Sequence, residues 1–204
     1  MFAPSAERCV VPNSVVPDSV VLGIDPGLTR CGYAVLEVRG FTDISLAAIG
    51  VLRTSPENHL PDRLAELSIE IEALLDEYHP TVVVVEHIFF QSNVRTAMSV
   101  GQVSGLALSA ASRRGCQVVQ YTPNQVKVAV TGWGSADKAQ VQRMVKQRLG
   151  LNTIPKPVDA ADAAAIALCH VASYRLAEKV AQKVAQKVAQ KLTVANRAKK
   201  SHSG

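Results

Sequence analysis

Residues 20–38 read VVLGIDPGLTRCGYAVLEV. An apolar run ends on a carboxylate, Asp25, and Pro26-Gly27 then turn the chain at once into a second apolar run. Two strands are predicted, at 20–25 and 31–38, with Asp25 closing the first. Three chemistries use such a position. Asp25 can be turn chemistry alone, with Gly27 free to take a positive φ. It can be one wall of a metal site. It can also belong to a loop that cradles the phosphates of ATP. The stretch by itself leaves all three open.

Working outward, residues 44–52 form a third strand-like run, close enough to the first two for an antiparallel meander. Residues 62–78 carry helical periodicity, with Leu64, Leu67, Ile71, Leu74 and Leu75 on one face. Thr-Val-Val-Val-Val-Glu (81–86) reads as a strand buried on both faces, because four successive valines leave no polar side for water. A long helix is predicted over 94–113. Its small residues Gly101, Ser104, Gly105 and Ala107 allow close approach to the sheet or to another subunit. A fifth strand follows at Gln117–Tyr121, then helices near 123–130, 136–149 and 159–176. Three strands in a row, then strand–helix alternation, predict an α/β fold: a mixed five-stranded sheet, antiparallel in its first half, flanked by helices.

Three segments are expected: a flexible leader at 1–19, a domain at 20–176, and a basic tail at 177–204. The leader, broken by Pro4, Pro12 and Pro17, does not read as a secretory signal. In the tail, Val-Ala-Gln-Lys repeats with period 4, which drifts about 40° per repeat on a 3.6-residue helix. A valine stripe of that kind cannot line a flat core, and Lys179, Lys183, Lys187 and Lys191 repel at i,i+4 spacing. A frayed helix leading into a disordered end is the expectation.

The 204 residues are 48% hydrophobic and 19% charged, in keeping with a globular protein that buries a sizeable core. No apolar run reaches the roughly 20 residues of a membrane span. The four cysteines, Cys9, Cys31, Cys116 and Cys169, lie far apart and predict inert thiols in a reduced, cytoplasmic setting. Charge is unevenly spread. Residues 1–94 hold thirteen acidic and five basic residues, whereas residues 95–156 hold nine basic residues and Asp137 alone as an acid. This suggests a carboxylate site facing a polyanion, although solvated helix faces also make such runs.

Four acids stand out by position. Asp25 and Glu86 end strands. Asp159 and Asp162 begin a helix just after Pro157, and their i,i+3 spacing puts both on one face. Singly, each has an ordinary explanation as turn, strand end or helix cap. Together they do not, because the helix beyond them is apolar from Ala163 to Cys169 and must lie on the sheet. Its acids then point to the sheet end where Asp25 and Glu86 finish. Clustered, buried carboxylates repel at a cost of several kcal/mol, and hard oxygen-seeking cations such as Mg²⁺ resolve that conflict.

With these residues in view, the chain resembles a RuvC-type Holliday junction resolvase of the RNase H-like superfamily. The resemblance runs from Val20 to His170 in four ordered blocks: GIDPGLTRCGYAVLE (23–37), VVVEHIFFQSN (83–93), YTPNQVKVAVTGWGSADKAQVQRMV (121–145) and PVDAADAAAIALCH (157–170). It implies an RNase H-like fold, with Asp25, Glu86, Asp159 and Asp162 as the catalytic, metal-binding acids. It implies two Mg²⁺ ions per site, with Mn²⁺ able to substitute, and paired symmetric nicks in four-way junction DNA during recombination and repair. A homodimer, partnership with the RuvA–RuvB branch-migration complex, and a bacterial cytoplasmic, nucleoid-associated location are implied as well.

Adjacent aromatics in a loop can stack on unpaired bases, and of Phe89 and Phe90 the former matches the family's base-stacking position. Lys127 and Lys138 match DNA-contacting positions; without the resemblance they read as exposed helix lysines. Arg95, Arg143, Lys146 and Arg148 are candidate phosphate contacts. Ser135-Ala-Asp-Lys reads as a helix N-terminus able to bind phosphate. His87 and His170 are candidates of lower rank, since a lone histidine is more often structural. Three rival readings stand: an actin-like or sugar-kinase-type ATP-binding fold fragment, a non-catalytic junction-binding protein, and a metal-dependent RNase. The first needs a second glycine-rich phosphate loop that the chain lacks. All four acids are present, which disfavours the second. The paired Phe and tandem basic helices disfavour the third.

Overall fold

The computed structural model describes residues 18–40, 43–87 and 94–201, with side chains described throughout except at 94–96, 182, 186 and 188–201. Five strands, β1 (Asp18–Asp25), β2 (Arg30–Arg39), β3 (Asp43–Arg53), β4 (Val82–Glu86) and β5 (Gln117–Tyr121), form one sheet in the order β3-β2-β1-β4-β5. Strands β1, β2 and β3 pair antiparallel, whereas β4 runs parallel to β1 and β5 parallel to β4. The mixed sheet with an antiparallel first half is as expected.

Strand alternation sorts the side chains onto two faces. Leu22, Ile24, Val35, Val83 and Val85 point to one face, where α1 (Leu60–Tyr78) and α2 (Val94–Arg113) cover them. Val21, Ala34, Leu36, Val82 and Val84 point to the other, under α3 (Pro123–Thr131), α4 (Lys138–Arg148) and α5 (Val158–Ser201). The four valines of β4 thus serve two cores, two valines each. Fully burying a side chain of this size contributes roughly 1.5–3 kcal/mol, so the short β4 is among the best-anchored strands.

Helix α5 approaches the sheet more closely than side chains would allow. A Cβ on Gly32 of β2 would collide with the backbone carbonyl of Asp159, and one on Gly23 of β1 with that of Ala163. Beyond these contacts α5 is buried from Ala163 to Val171. It continues as helix to Ser201, with Leu176, Val180 and Val184 exposed. The valine stripe of the repeat therefore lines no core at these positions.

One local expectation is corrected. Gly27 is not among the positive-φ glycines; the turn needs it because a Cβ there would strike the Arg30 carbonyl. The helix N-terminus read at Ser135-Ala-Asp-Lys is present, within that tetrapeptide. Helix α4 begins at Lys138, and Asp137 caps it by accepting from the Gln140 backbone N–H at 2.7 Å. A carboxylate of the chain already occupies that N-terminus. No helix among the described residues is long and apolar enough to cross a membrane.

Candidate active site

Register and parity bring the acids together. In the parallel β1–β4 pair, Ile24 stands opposite Val85, so Asp25 and Glu86 leave the sheet side by side at its C-terminal edge. Asp25 shares the parity of Val21, and Glu86 that of Val82 and Val84, so both point toward α5. Across the antiparallel pair, Asp25 faces Gly32, the residue over which the Asp159 backbone packs. The missing side chain at Gly32 thus lets the first turn of α5 descend beside Asp25.

The electrostatics record this convergence. Burial, then the charges of Glu86, Asp162 and Asp159, push the Asp25 carboxyl up to about 7. Burial, followed by the charge of Asp162, also raises Glu86. Desolvation and like charges act in the same direction here.

Two cations of the chain answer the four acids. Lys138 Nζ lies 2.7 Å from Asp162 Oδ2. Partial burial would lower this lysine, but the Asp162 hydrogen bond and the charges of Asp162, Asp25 and Asp159 hold it above its ordinary value. Arg30, at the start of β2, donates through Nε to Asp159 Oδ2 at 2.8 Å. The resemblance made Lys138 a DNA contact; its position here is among the carboxylates. Arg30 was not singled out from sequence. Its even parity with Gly32 and Ala34, which puts it on the α5 face, was the available signal.

Four carboxylates against two cations leave an excess of negative charge in a half-buried cleft. All the donors are hard oxygens, the set that divalent cations such as Mg²⁺ prefer. Among the described residues, no three His, Cys, Asp or Glu side chains are arranged as ligands of one ion. This is consistent with Arg30 and Lys138 engaging the two α5 acids. In kind and number the donors fit a divalent cation.

The remaining candidates fall elsewhere. His170 is buried in α5, its Nδ1 3.2 Å from the Tyr121 hydroxyl, and burial lowers it to about 4. It is a neutral core residue. His87 follows Glu86, and its backbone N–H donates to the Tyr121 carbonyl at 2.8 Å. Burial raises the Cys31 thiol to about 12 and the Cys169 thiol to about 11, so both are inert at neutral pH. Lys127 sits half-buried in the middle of α3, and Lys146 half-buried on α4. Exposed Arg143 lines a groove of about 340 Å³ with Trp133, Met144 and Gln147. Arg148 ends α4, exposed. Phe89 lies outside the described residues, and the Arg95 side chain does too, although its backbone is in α2.

Comparison with known proteins places the chain in a family. A family model described as "Crossover junction endodeoxyribonuclease RuvC" matches residues 21–170. The crossover junction endodeoxyribonuclease RuvC of Leifsonia xyli is 54% identical over 150 residues, covering 74% of this chain and 72% of that protein. That of Natranaerobius thermophilus is 46% identical over 157 residues, covering 77% and 97%. Among solved structures, T. thermophilus RuvC in complex with a Holliday junction substrate superposes with a TM-score of 0.74 at 38% identity, covering 78% of this chain and 96% of that one. The yeast mitochondrial resolvase Ydc2, at 16% identity and a TM-score of 0.63, shares the fold. The family match over residues 21–170, relatives at about half identity and the shared fold of a solved RuvC show that this chain is a nuclease belonging to the RuvC family of crossover junction endodeoxyribonucleases.

Proposed function

We propose that this chain resolves four-way DNA junctions by paired, metal-dependent nicks during recombination and repair, with Asp25, Glu86, Asp159 and Asp162 as its catalytic, metal-binding acids. The observation that carries the reading is the meeting of the β1 and β4 ends with the start of α5 over Gly32, where burial and the three other acids push Asp25 up to about 7. A carboxyl held so far from its ordinary value at a sheet edge is poised to exchange its proton for a cation. Divalent cations, two Mg²⁺ per site or Mn²⁺ in their place, would supply charge neutralisation and an activated water. Asp25 and Glu86 present oxygens from the rigid sheet edge, and Asp159 and Asp162 from the first two turns of α5. Lys138, released from Asp162, offers its ammonium to a phosphate oxygen of the cut strand.

Phe89 is assigned to stacking on an unpaired base near the crossover. Lys127, Arg95, Arg143 and Lys146 are assigned to phosphates, where they position DNA without reading its sequence. The nuclease domain spans residues 20–176, with the leader and the basic tail outside it. Because a four-way junction has approximate two-fold symmetry, two nicks require two related sites, which a C₂ homodimer provides. Helix α2 is the proposed contact. Ser104 and Ala107 face the core, whereas Met98, Gly101, Gln102 and Gly105 lie on its open side. The RuvA–RuvB complex is the proposed partner machinery in the cytoplasm, at the nucleoid.

The test incubates the protein with a synthetic four-way junction, a linear duplex and an RNA–DNA hybrid, in Mg²⁺ or in EDTA. Symmetric nicking of the junction alone is expected, with cleavage falling at least about 10³-fold in Asp25→Asn while junction binding is kept. Equal cleavage of the hybrid, or cleavage that survives EDTA, overturns the reading.

A further inference from the structure

Arg30 is the residue of this site that the acid pattern does not explain. Its Nε and Nη2 both reach the same oxygen, Asp159 Oδ2, at 2.8 and 2.5 Å. With two donors on Oδ2, Oδ1 is the atom Asp159 has left to offer. Arg30 is itself held firmly. It pairs with Arg53 of β3, and the loop before it is tied down from α1. There Arg63, only 9% exposed, donates to the hydroxyls of Thr54 at 2.8 Å and Thr29 at 2.6 Å. Thr54 in turn donates to the Leu28 carbonyl at 2.6 Å. The Gly32 contact beneath the Asp159 backbone completes the clamp: backbone from below, carboxylate from the side.

Building on the reading that the four acids bind divalent cations, we propose that Arg30 is a positioning residue. It fixes the Asp159 carboxylate so that Oδ1 alone faces the acid cluster. Arg30 acts through Asp159 and touches no reacting atom. Two effects of opposite sign compete. The guanidinium charge repels an incoming cation, whereas the fixed carboxylate spares that cation the cost of ordering a ligand. The Arg30 side chain is 40% exposed, so solvent and salt screen the repulsion. Hydrogen-bond partners of metal ligands typically matter by 10–100-fold in metal affinity or activity. Orientation is therefore the larger effect.

The experiment titrates Mn²⁺ into the metal-free full-length protein without DNA and follows free Mn²⁺ by electron paramagnetic resonance. Wild type, Arg30→Ala, Arg30→Lys and Asp25→Asn are compared, and junction binding in EDTA is measured alongside. Arg30→Ala is expected to weaken Mn²⁺ binding about 10-fold or more. Arg30→Lys, which keeps the charge and loses the two-donor grip, falls between it and wild type. Junction binding in EDTA stays within about twofold for both Arg30 variants. Unchanged or tighter Mn²⁺ binding in Arg30→Ala overturns the inference and identifies Arg30 as a competitor for the carboxylate. Weakened junction binding in EDTA overturns it in favour of a phosphate contact. If Asp25→Asn binds Mn²⁺ as wild type does, the metal reading itself fails and the Arg30 inference falls with it. A graded loss of Mn²⁺ binding, larger in Arg30→Ala than in Arg30→Lys, with junction binding in EDTA kept and Asp25→Asn deficient in Mn²⁺, is the outcome that supports both.

Discussion

The two faces of the sheet are built to opposite rules. The face under α1 and α2 is filled with bulky apolar side chains, including Leu22, Ile24, Val83 and Val85, each at most 1% exposed. The face under α5 gives up volume: Gly23 and Gly32 in the strands meet a helix lined with Ala160, Ala161, Ala163, Ala164 and Ala167. Small residues on both sides bring the α5 backbone against the strands. Close approach is what lets two acids on a helix stand beside two acids on a sheet edge. One face is optimised for apolar burial, the other for distance, and the proposed catalytic edge belongs to the second.

That contrast can be broken most sharply at Gly32. Gly32→Ala drives a methyl group into the Asp159 carbonyl, so the first turn of α5 must lift. Cleavage of a synthetic junction is expected to fall about 10²-fold or more, since displacements near 1 Å at a catalytic centre have that effect. The fold is retained by circular dichroism, because the opposite core is untouched. A near-normal rate would show that the close approach does not set the site.

A second, smaller effect lies in the charge crowded onto the α5 side. Asp25 is raised from an ordinary value near 3.8 to about 7. Its contribution to stability is therefore fully present below about pH 4, is lost as pH rises through 7, and changes no further above that. Asp25→Asn removes the dependence. In EDTA the variant is expected to be more stable than wild type at pH 8, by up to about 4 kcal/mol at roughly 1.4 kcal/mol per pH unit between the two values, with the difference vanishing near pH 4. Denaturant unfolding at the two pH values measures it, and a pH-independent difference would refute the buried-charge account.

The smallest effect is predicted one residue from Asp25 but on the other face. Ile24→Val removes one methylene from the α1/α2 core and is expected to cost about 1 kcal/mol of stability. Cleavage below the unfolding transition should stay within about twofold. A larger catalytic loss there would mean that the two faces are not independent.

Much of this architecture was legible in the chain. The Val-Val-Leu-Gly-Ile-Asp run, the four valines before Glu86 and the apolar helix after Asp162 each declare burial, because apolar periodicity reports which faces meet water. Their carboxylate ends could be collected from sequence because strands that finish at one edge bring their last residues together. The two cations of the site were less legible. Lys138 was expected on DNA, and its seat on Asp162 depends on how α4 packs beside α5. Arg30 was passed over because an arginine after a turn carries no local signal of its partner, which lies 129 residues away. Buried Arg63 likewise carries no local signal, on a helix whose other inward residues are leucine and isoleucine.

Sequence alone therefore determined the elements and their apolar faces, and singled out the four candidate acids, since these rest on local periodicity and on the chemistry of residue types. The side-by-side placement of Asp25 and Glu86, the descent of α5 over Gly32, and the pairing of Arg30 with Asp159 and Lys138 with Asp162 were decided only by tertiary structure. Register, strand order and interlayer distance come from packing the whole chain, and no short stretch encodes them.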